Sequence, residues 1–186
     1  MENPYKIKIQ FKQLNLEDIH ENLLDDFQRY QKITKRWNNG NWEILDYAAV
    51  DDWNIAEKSE RVKRLYTVLS ATNQSEKGYI FGAYANSRLV GFSTILSHKF
   101  GSQLQYVKLR SLHVSLDYRH CGIGKKLFKL TIAKAREINA ERLYISANSA
   151  YETQQFYLQL GCTDATEIDK LTAQQDPLDR QMEYII

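Results

Sequence analysis

The chain has 186 residues, 43% apolar and 26% charged, which suits one domain with a buried core and leaves little room for two. Two prolines, eight glycines and no apolar run long enough to span a bilayer exclude a disordered chain, a collagen-like chain and a membrane helix. A net charge of +2 is too small to propose nucleic acid as the main partner, and the start MENPYKIKIQFK lacks the apolar segment of a secretory signal. The two cysteines, Cys121 and Cys162, form neither a disulfide framework nor a metal-ligand spacing, so a reduced cytoplasmic compartment is expected.

In chain order, the predicted elements begin with a strand in which Ile7, Ile9 and Phe11 alternate with Lys8, Gln10 and Lys12. A helix is expected from Leu16 to about Tyr30, with Leu16, Ile19, Leu23, Leu24 and Phe27 on one stripe and Asn15 as its N-cap. An irregular aromatic and acidic stretch follows to about Trp53, then a second helix from Ile55 to Leu69. A hairpin pairs Tyr79–Tyr84 with Arg88–Leu96 around the turn Ala85-Asn86-Ser87. Gly101-Ser102 turns the chain into a strand from about Leu104 to Val114. A helix from about Gly122 to Asn139 and a strand over Arg142–Ala147 come next, then a helix over Ala150–Leu160 capped by Gly161. Met182, Tyr184 and Ile186 alternate as a closing strand. The central strand–helix–strand run implies parallel neighbours in an otherwise antiparallel sheet, with helices covering both faces. This is an α/β fold with a mixed sheet, and nothing divides residues 1–186 into more than one domain.

The strongest local signal is Arg119-His120-Cys121-Gly122-Ile123-Gly124-Lys125, where a strand ends and an amphipathic helix opens. The first turn of a helix carries unpaired N–H groups and a positive dipole end, which suit a phosphate. Glycines let that phosphate approach the backbone, and Arg119, Lys125 and Lys126 add charge. The run is neither a P-loop nor the dinucleotide G-x-G-x-x-G, because Leu127 and Phe128 stand where a third glycine would fall.

Arg119–Gly124 resembles the [RQ]-x-x-G-x-[GA] acetyl-CoA motif of the GCN5-related N-acetyltransferase superfamily. Downstream, Ile145–Ala150 followed by Phe156-Tyr157-Leu158-Gln159-Leu160-Gly161-Cys162 is similar to the superfamily's strand–Asn–helix–FYxxxGF region, with Cys162 in place of the usual Phe. The resemblance covers about Tyr79 to Cys162, so an acetyl-CoA core over about 79–165 and an acceptor-side region over about 15–70 are expected. It implies that backbone groups of Leu112, His113 and Val114 lie along the pantetheine arm and the acetyl carbonyl. It also implies that the amides from Cys121 through Gly122, Ile123 and Gly124 to Lys125, in the loop holding Arg119 and His120, grip the diphosphate. Asn148 would contact the cofactor or simply cap the next helix, and Tyr157 would act as general acid. Acetyl-CoA and an amine acceptor are thus the implied partners, with no metal, no membrane, no nucleic acid, and a monomer or homodimer.

Acyl transfer to an amine also calls for a base. A lysine-like amine with a pKa near 10.4 costs about 4.6 kcal/mol to deprotonate at pH 7. Many members of the superfamily carry a Glu on the strand before the glycine motif, whereas Gln105–His113 holds no acid. His113 is the candidate base, with Glu152, an acid of segment 43–52 or a water chain as alternatives. Trp37, Trp42, Tyr47 and Trp53 sit among Glu43, Asp46, Asp51 and Asp52, an environment for a small cationic amine or simply for packing. The missing Glu motivates the alternative of a CoA-binding or interaction module without turnover.

Overall fold

The computed structural model describes residues 8–38, 40–73 and 75–186, without the side chain of Tyr47. Its strands are β1 (Ile9–Gln13), β2 (Gln31–Asn38), β3 (Asn41–Asp51), β4 (Gly78–Ala85), β5 (Arg88–Leu96), β6 (Tyr106–Val114), β7 (Arg142–Ala147), β8 (Thr163–Asp164) and β9 (Arg180–Ile185). Its helices are α1 (Ile55–Ser70), α2 (Ile123–Glu137), α3 (Tyr151–Gln159) and α4 (Lys170–Gln175). Seven strands form one sheet in the order β1-β4-β5-β6-β7-β9-β8, and β2 pairs with β3 apart from it. β6 and β7 are parallel neighbours across α2, and the remaining pairs are antiparallel, as the expected mixed sheet requires. Ile7, expected in the first strand, lies outside the described residues.

Each face of the sheet buries one helical stripe. On one face Val62, Leu65 and Val68 of α1 pack with Ile80, Phe92 and Leu96 of the sheet and with Leu14, Leu24 and Phe27. On the other, Ile123, Leu127, Phe128 and Ile132 of α2 pack on Phe81, Val107, Leu109, Leu143 and Ile145, joined by Tyr157 of α3. Asn86 and Ser87 adopt φ values of 48° and 66°, so the β4–β5 turn has the left-handed geometry that matches strand twist. Gly161, at φ 91°, closes α3 as expected. Among the described residues no helix is long and apolar enough to cross a membrane.

Two expectations are corrected. The helix over Leu16–Tyr30 is a single 3-10 turn, Leu16–Asp18, followed by short turns through Asp26. Phe27 and Leu24 are buried, yet Leu16 is 41% exposed, so the apolar stripe never reaches the core as one face. Asn22, Asp25 and Asp26 are weak helix formers, and Leu23, Asp25 and Phe27 each donate their amide to a carbonyl three residues back. The segment between that region and Trp53 is the β2–β3 hairpin rather than irregular chain, with Gly40 at φ 91° in its turn. The short β8 and α4 were not expected.

At the far edge of the sheet, Glu183 is buried and accepts hydrogen bonds from Tyr106, Arg142 and Thr166. Burial pushes its pKa up, and the hydrogen bonds from Tyr106 and Thr166, with the Arg142 charge, outweigh that and hold it below the usual carboxylate range. Its stabilisation is therefore present above its ordinary pKa and lost as pH falls through the lowered one. Glu183→Ala should cost about 3–5 kcal/mol in denaturant melts at pH 7, because it leaves the Arg142 guanidinium partly buried without its partner.

Candidate active site

The site begins with an irregularity in β6. Its pairing with β5 runs Ile95↔Leu109 and then Thr94↔Ser111, which leaves Arg110 as the extra residue of a β-bulge. The last β6–β7 pair is Leu109↔Ile145, while β6 stays bonded to β5 as far as Gly91↔Val114. From Arg110 onward β6 therefore has a partner on one edge only, and the parallel strands part at this point. The bulge also exchanges the faces of the strand. Val107, Leu109, Leu112 and Val114 face the α2 core, and Lys108, Arg110, Ser111 and His113 line a cleft on the α1 side.

Past Val114 the chain turns through Leu116–Tyr118 into the glycine run, held by segment 28–29. Ser115 Oγ accepts from the Gln28 amide at 3.0 Å, and the Leu116 amide donates to the Gln28 carbonyl at 2.9 Å. The Arg119 guanidinium donates to the Val114 carbonyl at 3.1 Å and to the Arg29 carbonyl at 2.6 Å. Arg119 thus braces the loop from beneath. His120 and Gly122 hold φ values of 60° and 78°, and His120, Cys121 and Lys125 are exposed. The Lys126 amide reaches the Gly122 carbonyl at 3.0 Å, so the amides of Ile123, Gly124 and Lys125 precede the first helical bond. The two glycines serve different ends. A Cβ on Gly122 would meet nothing within 4 Å, which leaves the loop open to a ligand, whereas one on Gly124 would lie 3.2 Å from the Phe156 ring. Buried Ile123 anchors the turn on the α2 side.

Tyr157 of α3 is 6% exposed in the core on the α2 side of the sheet, its ring near Phe128 and Phe156. Burial, then repulsion from Cys162 where it too is ionised and from the Asp179 carboxylate, raise its pKa, and its hydroxyl makes no hydrogen bond among the described residues. Asn148 Oδ1 accepts from the Ala150 amide at 3.0 Å, so it closes the turn into α3. The Trp37 amide donates to the Ser149 carbonyl at 2.7 Å, which seats the β2–β3 hairpin against that turn.

His113 forms part of the cleft wall, its ring edge-on to Trp53 with centroids 4.7 Å apart and 5.3 Å from Phe92. Burial, then the guanidinium charges of Arg29, Arg61 and Arg119, push its pKa well below 6.5, so the ring is neutral at pH 7. Glu152 is exposed on α3, and Asp51 is bound by Arg29 at 2.5 Å.

Sequence reasoning missed Asp179, a carboxylate in the same cleft. The pair Ala147↔Arg180 carries it to the end of β7, where it accepts a hydrogen bond from Ser146 Oγ at 3.1 Å. Burial, with Asp176 and Asp51 as like charges, raises its pKa to about 6 against the Ser146 hydrogen bond. A start-of-strand Asp, 31 residues beyond Asn148, has no local signature of such a role.

The aromatic residues do not gather into one box. Trp53 is buried against Phe27, and the Arg61 guanidinium sits 4.2 Å from its ring centroid. Trp37 and Trp42 pair at the hairpin end with centroids 5.2 Å apart; Trp42 meets Tyr151 of α3, and Arg180 lies 4.3 Å from the Trp37 ring. The Tyr47 side chain is outside the described residues.

The acetyltransferase (GNAT) family model matches residues 22–162, which holds both the glycine loop and Tyr157. No curated protein sequence matches the chain. Among solved structures, a nourseothricin acetyltransferase is 14% identical with a TM-score of 0.66, over 95% of this chain and 98% of its own. A candidate streptothricin acetyltransferase of Bacillus anthracis str. Ames, in complex with acetyl coenzyme A, is 16% identical with a TM-score of 0.68, over 97% and 99%. The PaiA N-acetyltransferase of Thermoplasma acidophilum, in complex with coenzyme A, is 17% identical with a TM-score of 0.61, over 97% and 100%. At these identities the likeness is one of fold.

Proposed function

The chain belongs to the acetyltransferase (GNAT) family and is an acetyl-CoA-dependent N-acyltransferase; on that premise we propose that it moves the acetyl group onto a primary amine by direct attack within a ternary complex. The parting of β6 from β7 beside an open helix N-terminus is the observation that carries this reading, because it joins a slot for a thioester arm to a seat for its diphosphate. Acetyl coenzyme A and coenzyme A bound in two similar folds support the choice of co-substrate.

In this reading the amides of Ile123, Gly124 and Lys125, with the neighbouring loop, bind the diphosphate. Amides of the Leu112–Val114 strand hydrogen-bond the acetyl oxygen as negative charge develops on it. Asp179 accepts the proton that the amine loses as its nitrogen bonds to the carbonyl carbon. Tyr157 donates its hydroxyl proton to the sulfur as the C–S bond breaks, and Asp179 returns a proton to it through solvent in the cleft. Burial keeps the phenol protonated, and the same apolar surroundings raise the proton affinity of the departing thiolate. We assign the base to Asp179 ahead of His113 because three arginines oppose a positive charge on the imidazole. Asn148 closes the turn into α3, and the β2–β3 hairpin is seated against that turn through Trp37.

Calorimetry with acetyl-CoA, paired with thiol release across an amine panel, tests the function. Saturable binding and amine-dependent release are expected, and absence of any affinity for acetyl-CoA or free coenzyme A overturns it. Gly122→Val should weaken acetyl-CoA binding by about 10-fold with the far-UV spectrum preserved. A branched side chain at φ 78° strains the loop by about 1–3 kcal/mol and stands in the approach to the amides.

A further inference from the structure

The cleft on the α1 side of the sheet has a volume of about 270 Å³, the scale of a small metabolite rather than a folded protein surface. Its lining carries both charges. Arg61 and Arg64 of α1 and Lys108 and Arg110 of β6 contribute basic groups, of which Lys108 is held by Asp169, and Asp176 and Asp179 contribute acidic ones.

Apart from Lys108, the basic groups are under-used by the protein itself. Among the described residues neither Arg61 nor Arg110 forms an ion pair, and Arg64 meets only the exposed Glu60 at 3.3 Å. Arg61 is half-buried against Trp53 and its Nε has no hydrogen-bond partner. Thr94, 1% exposed and lining the same cleft, also has a buried hydroxyl without a partner. Buried polar atoms are nearly always satisfied, so two in one cleft, one of them on a guanidinium with no ion pair, point to a missing partner there. A guanidinium on an aromatic face keeps its outer N–H groups available for an oxyanion. In the same cleft, Asp179 next to Ser146 offers a carboxylate to a cation.

We propose that the acceptor is a small amine that also carries a carboxylate, an amino-acid-like molecule whose carboxylate meets Arg61, Arg110 and Thr94 while its amine meets Asp179. This deepens the N-acetyltransferase reading and rests on it for the transfer step. The tryptophan faces are not the recognition element here, since the cation over Trp53 is the protein's own.

The test compares amino acids with matched amines lacking the carboxylate, such as lysine with cadaverine and ornithine with putrescine. On the full-length chain, turnover is read by thiol release and binding by calorimetry at saturating coenzyme A. The amino acids should bind and turn over at least about 10-fold better, a charge-assisted contact being lost in each partner amine. In Arg61→Gln and in the exposed-site variant Arg110→Gln this preference should shrink toward unity through acceptor KM, with acetyl-CoA affinity unchanged. Equal or better use of the carboxylate-free amines by the native chain overturns the proposal. Arg61-dependent binding of amino acids without coenzyme A affinity or thiol release would uphold the anion site and sink the transfer reading.

Discussion

Tyr157→Phe should lower kcat by about 10²-fold or more while leaving the affinity for acetyl-CoA and the melting temperature nearly unchanged. A positioned general acid contributes about 10²–10⁴-fold, and the substitution removes only the proton that would reach the sulfur. The ring itself stays. Tyr157 is buried among Phe128 and Phe156, and its hydroxyl makes no hydrogen bond among the described residues, so a phenylalanine fills the same volume without stranding a partner. Steady-state kinetics, calorimetry and a thermal melt on the same preparation separate the outcomes. Unchanged turnover removes the general-acid role, and a fall in acetyl-CoA affinity equal to the fall in rate makes Tyr157 a binding residue instead. Loss of turnover with binding retained also sets the enzyme apart from a module that merely holds coenzyme A.

Asp179→Asn should lower kcat/KM at pH 7.5 by about 10²-fold and abolish the acid limb of its pH profile. The native carboxylate has its pKa raised to about 6, chiefly by burial and then by Asp176 and Asp51, so activity should rise with pH through about 6 as it ionises. Stability should move the other way. Well below its ordinary value of 3.8 the carboxyl is neutral in both the folded and the unfolded chain, and no penalty exists. Between its ordinary value of 3.8 and about 6 the unfolded chain ionises first, and above 6 the folded chain bears the full cost, up to about 3 kcal/mol. The carboxamide of the Asp179→Asn variant can still accept the Ser146 hydrogen bond, so the variant should melt higher than the native chain above pH 6, with the gap closing toward pH 4. Less activity with greater stability is the pattern of a group kept for chemistry. An acid limb near pH 6 that survives in Asp179→Asn returns the base to His113 or to water.

The parts of the site that local chemistry dictates were readable in the amino-acid order. Arg119–Gly124 announces a backbone turn into a helix with free amides, because glycine at φ 78° and the unpaired first turn are properties of a few consecutive residues. The β4–β5 hairpin, α1, α2 and the parallel β6–β7 pair were legible for the same reason, each being a periodic run bounded by its own turn residues. The Leu16–Phe27 stripe had that period without the helix, since three-residue turns place Leu24 and Phe27 inward equally well. The β2–β3 hairpin did carry a signal, the Asn39-Gly40 pair between β-rich runs, although Asn39 itself is outside the described residues.

Residue order alone thus marks the β4–β5 and Gly161 turns, the glycine run that opens α2, and Tyr157 on the helix after β7. Which groups line the cleft on the α1 side rests on long-range pairing. Counting alternate residues from Val107 would send His113 into the α2 core, and one extra residue, Arg110, turns it out to the cleft instead. Asp179 reaches Ser146 because β9 lies antiparallel to β7 in one particular register, and its raised pKa comes from burial and like charges that assemble only in the folded chain. A bulge and a strand register are set by the sum of cross-strand contacts over the whole sheet, so no short stretch of sequence encodes either one.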